Sequence, residues 1–104
     1  MQNLSARELQ QHLKSHQPLL LDVREPWEWE KCHLADSLLI PMREVSQQLD
    51  RLDKTQEIVI ICHHGIRSMQ VARYLELSGF EQVINLQGGI DAWAKQVDQS
   101  VALY

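Results

Sequence analysis

The residues best suited to chemistry lie in one stretch, Cys62-His63-His64-Gly65-Ile66-Arg67-Ser68. A cysteine closes an apolar, β-branched run, Val59 to Ile61, and a helical pattern begins within a few residues of it. So short a loop must turn successive backbone N–H groups toward the sulfur, forming an anion-binding nest. The helix that follows adds the positive end of its dipole. Both features favour a thiolate, the form in which cysteine acts as a nucleophile. Gly65 allows the backbone angles a tight loop demands, and Arg67 supplies a fixed charge with a planar fork of donors. His63, His64, Gly65, Ile66, Arg67 and Ser68 are therefore candidate substrate-binding residues around a candidate nucleophile, Cys62. The competing reading is a buried structural cysteine at a strand end; the flanking Gly, Arg and helix start weigh against it.

The elements that must hold this loop follow from periodicity. Val59–Ile61 is too uniformly apolar for a half-exposed strand and reads as a central parallel strand. From Arg67, Met69, Ala72 and Leu75 recur at helical spacing until Ser78-Gly79. Upstream, Ser5-x-x-Glu8 has capping-box spacing for a first helix carrying Leu9 and Leu13, with Leu4 as a staple. Leu19–Val23 is a second buried strand. Pro26 opens a short helix with Trp29 turned inward, and Arg24 and Glu28 sit at ion-pair spacing. Leu38–Pro41 is a short strand, Met42–Leu52 is helical, Val83–Leu86 is the last strand, and Ile90–Ala94 is a short helix. Val97–Tyr104 has no period and is expected to run along the surface. Strands alternating with helices predict an α/β domain with a mainly parallel sheet of about five strands and helices on both faces. Its active edge would gather the strand ends, with Arg43, Arg67 and His63 around Cys62.

Composition narrows the function. The 104 residues suit one domain with one modest core. The net charge of −4 leaves no excess of Lys and Arg to neutralise nucleic-acid phosphates. No apolar run reaches membrane-spanning length, and residues 1–18 lack a signal-peptide pattern. The two cysteines, without an export signal, point to free thiols in a reducing cytoplasm. A monomer is expected. Adjacent His63 and His64 are poorly placed to reach one metal together, and no Cys-x-x-Cys pair is present, so neither metal nor cofactor is expected.

Several segments in order resemble the rhodanese family of sulfurtransferases. They are Leu20-Leu21-Asp22-Val23-Arg24-Glu25 with Glu28-Trp29, then His33-Leu34 and Ile40-Pro41, then Cys62 to Ser68, and finally Leu86-Gln87-Gly88-Gly89-Ile90-Asp91-Ala92-Trp93. Cys32 and Asp36 stand where that family has glycines. The resemblance implies a three-layer rhodanese-like fold and a persulfide on Cys62. The sulfur would come from a small donor such as thiosulfate and pass to cyanide or a thiol, or to a protein acceptor. A protein-to-protein sulfur carrier and a non-catalytic interaction module are the alternatives; such modules usually lack the cysteine. Related phosphatases on this fold have five residues between cysteine and arginine. Here four separate Cys62 from Arg67, a tighter ring suited to one added sulfur. Cys32 is expected at the end of the sheet opposite Cys62, out of disulfide range.

Overall fold

The computed structural model describes residues 1–104. A five-stranded, all-parallel sheet runs in the order β1-β5-β4-β2-β3. Its strands are β1 (Gln2–Leu4), β2 (Leu19–Asp22), β3 (Ser37–Leu39), β4 (Glu57–Ile61) and β5 (Gln82–Leu86), and the helices are α1 (Ala6–His12), α2 (Pro26–Lys31), α3 (Ile66–Leu77) and α4 (Gly89–Gln96). β4 is central, and Ile58 to Ile61 are all fully buried. The pleat sends Ile58, Ile60 and Cys62 to one face, with Val71, Ala72 and Leu75 of α3; Val59 and Ile61 go to the other, with Leu9 and Ile90. Each Val, Leu or Ile side chain among these contributes about 1.5–3 kcal/mol by leaving water. The predicted three-layer α/β class is the observed one.

Local chemistry starts and stops these elements. The Ser5 hydroxyl accepts from the Glu8 N–H at 3.1 Å, and the Glu8 carboxylate accepts from the Ser5 N–H at 2.8 Å, closing the expected box on α1. α3 ends at Gly79, where the Phe80 N–H turns back to the Leu75 carbonyl at 3.0 Å.

Four local expectations need correction. Leu4, expected as a staple, belongs to a strand that three residues are too few to reveal by period: Gln2–Leu4 is β1, with Asn3 in register with Asn85. Met42–Leu52 forms two 3₁₀ segments, Met42–Gln47 and Leu49–Arg51, instead of an α-helix. Trp29 does not enter the core: it is half-buried and stacked on His33, and Glu28 takes the inward position. Cys32 packs with the cluster on the face of the sheet opposite Cys62, so the sheet itself separates the two thiols. No helix is long and apolar enough to cross a membrane.

Candidate active site

β2 and β4 end level, with Asp22 paired to Ile61, so the chain leaves both strands at the same edge. Cys62 is 1% exposed there. Its sulfur accepts the Gly65 N–H at 3.1 Å and the Ser68 N–H at 3.3 Å, and its S–H faces the Ser68 hydroxyl at 3.2 Å. The N–H groups of His63, His64, Ile66 and Arg67 take no acceptor within the protein. Those of Ile66 and Arg67 are orphan donors of the α3 start and those of His63 and His64 belong to the loop; all four are available to an anion. Gly65 sits at φ 96°, which a side chain would strain.

What holds the loop open is α4. The Ile90 N–H donates to the Cys62 carbonyl at 2.9 Å and the Asp91 N–H to the His63 carbonyl at 3.1 Å. Pinning those carbonyls to a second helix start leaves the loop's N–H groups for the sulfur side. Gly89 makes the approach possible: a Cβ there would lie 2.5 Å from the Cys62 oxygen. In the sequence, Gly88-Gly89 stands in a family-like segment, with no role assigned to the pair at Cys62. The signal was the doubled glycine directly before a helix.

Charged groups form a network beside the loop. Both terminal nitrogens of Arg67 donate to Glu28, at 2.7 and 2.9 Å. The Glu28 carboxylate also accepts the Glu25 N–H at 2.9 Å and the Tyr104 hydroxyl at 2.7 Å. Burial works against its charge, but these donors, Arg67 foremost, hold its pKa down to about 2. Arg67 is in turn raised above its ordinary range, chiefly by Glu28. The expected Arg24–Glu28 ion pair does not form. Arg24 is wholly buried, forks onto Asp22 at 2.7 and 3.0 Å, and donates to the Cys32 carbonyl at 2.6 Å and to the Tyr104 hydroxyl at 2.9 Å. The shorter Asp22 side chain is already on the buried strand, whereas Glu28 faces α3.

The tail runs along the surface as expected, with Asp98–Ser100, Ala102 and Leu103 exposed, but its last residue docks: the Tyr104 ring lies flat against His63, with centroids 3.9 Å apart. Nothing in the tail's pattern signals this, since one aromatic residue has no period. His63 lies between Tyr104 and His64. Burial first, then the neighbouring His64, push its pKa below the ordinary value, so its imidazole is neutral at neutral pH. Arg43 does not contact Cys62; it is exposed and paired with Glu25, and lines a shallow recess with Arg67, Val23 and Met42. His63, His64 and Asp91 bring one ligand atom each within 4.8 Å. The two imidazoles are stacked, with ring centroids 3.9 Å apart.

The chain as a whole is similar to known proteins. The family model for the rhodanese-like domain matches residues 5–96. The probable adenylyltransferase/sulfurtransferase MoeZ of Mycobacterium tuberculosis is 36% identical over 97% of this chain, which spans only 26% of that protein's length. The thiosulfate sulfurtransferase GlpE of Coxiella burnetii is 32% identical over 78% of the chain and 76% of its own length. The crystal structure of a rhodanese-related protein from Thermoplasma volcanium superposes with a TM-score of 0.87 at 29% identity, covering 100% of both chains. The family model spans most of the sequence, and the chain belongs to the rhodanese-like domain family.

Proposed function

We propose that this protein is a sulfurtransferase that carries a sulfane sulfur as a persulfide on Cys62. One observation carries the reading: a buried cysteine sulfur accepts two backbone N–H groups inside a tight loop, while α4 ties the Cys62 and His63 carbonyls away. Such a site stabilises a negative sulfur without any side-chain base. The sulfurtransferase names of the relatives support the same class.

In the first step the Cys62 thiolate attacks the outer sulfur of thiosulfate. A Cys62–sulfur bond forms, the donor's sulfur–sulfur bond breaks, and sulfite leaves with the electron pair. The charge now rests on the outer persulfide sulfur, where the free amides of His63, His64, Ile66 and Arg67 are available to it. In the second step cyanide or a thiolate attacks that outer sulfur, and Cys62 leaves as thiolate. Arg43 and Arg67 line the recess through which an anionic donor would approach. Both are already paired with carboxylates, so they steer the donor and do not clamp it. The Ser68 hydroxyl holds the resting thiol.

The test is intact-protein mass spectrometry after incubation with thiosulfate. A gain of one sulfur atom, mapped to Cys62 and removed by cyanide, is the expected result. A protein that gains nothing, or that gains sulfur equally well as Cys62→Ser, refutes the reading.

A further inference from the structure

Ser68 and Asn85 are the two uncharged polar side chains in the buried set, and the transfer described above gives Asn85 nothing to do. It sits in an otherwise apolar strand, Val83-Ile84-Asn85-Leu86, and faces Asn3 directly across the β1–β5 pair. The three residues link the sulfur to the surface. The Cys62 S–H lies 3.2 Å from the Ser68 oxygen, the Ser68 hydroxyl donates to Asn85 Oδ1, and Asn85 Nδ2 donates to Asn3 Oδ1 at 3.0 Å. Asn85 is 1% exposed; Asn3 is exposed.

A serine hydroxyl has one proton. In this arrangement that proton points away from the sulfur, which suits a thiol and opposes a thiolate. Once Cys62 has lost its proton to solvent, the Ser68 oxygen would present lone pairs to a negative sulfur. Turning the hydroxyl onto the sulfur removes the donor from Asn85 Oδ1, which is buried and cannot reach water. A half-turn of the Asn85 amide solves this. Its Nδ2 then donates to the Ser68 oxygen, and its Oδ1 turns toward Asn3, which answers with its own NH₂. Asn3 pivots freely because it is exposed.

We propose that Asn85 and Asn3 are positioning residues, an amide pair whose joint half-turn lets the Ser68 hydroxyl donate to Cys62 once the sulfur is negative. The proposal rests on Cys62 being the nucleophile. The charged and titratable groups around the loop are His63 and His64 within it, Tyr104 stacked on His63 and bonded to Glu28 and Arg24, Arg67 on α3 with its partner Glu28 on α2, Asp91 on α4 with its partner Lys95, and Arg43 across the recess. The test alters none of them.

The test compares iodoacetamide alkylation of Cys62 in a Cys32→Ser background at neutral pH and at about pH 10, where a thiol is ionised. Asn3→Asp can only accept, so it locks Asn85 with its oxygen on Ser68. Asn3→Ala leaves the amide free to turn. Asn3→Asp should react about three- to tenfold more slowly than Asn3→Ala at neutral pH and match it at high pH. The difference should persist in ~1 M salt, where the charge of an exposed aspartate is screened. Asn85→Asp should act in the same direction; if it fails to fold, the exposed Asn3 pair still decides. Equal rates for Asn3→Asp and Asn3→Ala at neutral pH overturn the relay, as does a deficit of the same size at both pH values. Sulfur uptake from thiosulfate by the unmutated protein is read separately. An alkylation difference without that uptake would refute sulfur transfer and leave the relay standing.

Discussion

Replacing Glu28 by Gln tests whether the network beside the loop is a structural keystone. The carboxylate is 4% exposed and accepts four hydrogen bonds, two of them from an arginine that is 35% exposed. Breaking a fully buried pair costs about 3–5 kcal/mol. Because Arg67 keeps access to water, about 2–3 kcal/mol is expected at neutral pH. Linkage gives a similar figure. A carboxyl held at about 2 against its ordinary 4.5 contributes about 3 kcal/mol at neutral pH. The folded carboxyl is the stronger acid, so its contribution is complete above about pH 5 and is lost as the pH falls toward 2. Urea unfolding followed by circular dichroism should show a Glu28→Gln midpoint about 2 M lower at pH 7, taking a slope near 1–1.5 kcal/mol per molar. At about pH 3 the gap should shrink to roughly 1 kcal/mol, since the native carboxylate is by then losing its advantage. A gap that is the same at both pH values, or below about 0.5 kcal/mol at pH 7, would show that the pairing does not carry this stability.

Gly89→Ala drives a methyl group into the Cys62 and His63 carbonyls. It should abolish sulfur loading and lower stability by about 2–3 kcal/mol; wild-type loading by mass spectrometry would disprove the pinning of the loop. Asp36 is exposed and holds a left-handed φ of 62°, so Asp36→Gly should raise the melting temperature by about 3–6 °C in calorimetry. Cys32→Ser should leave sulfur loading unchanged, and peptide mapping after oxidation should find no bridge to Cys62, because the sheet lies between them. Hydrolysis of aryl phosphates should be negligible; Cys62-dependent turnover would contradict the loop-length argument.

The sequence by itself determined the elements whose cause is local or periodic. β4 was legible because Val59–Ile61 is uniformly apolar, as a strand covered on both faces must be, and all three are fully buried. α1 was legible from its capping box, and the Cys62 loop from a cysteine between an apolar strand and a helix start. The tertiary structure decided the partners. Arg24 and Glu28 have ion-pair spacing, yet each binds another residue, because the strand end places Asp22 on Arg24 and the packing of α2 places Glu28 against Arg67. The 39-residue separation of Glu28 and Arg67 leaves no mark on either segment's periodicity. The same holds for Tyr104 on His63, for Asn3 beside Asn85, and for Gly89 beneath Cys62. A pattern of apolar residues states which face is buried, but a hydrogen bond depends on where single atoms meet, and only the assembled sheet and its layers bring those atoms together.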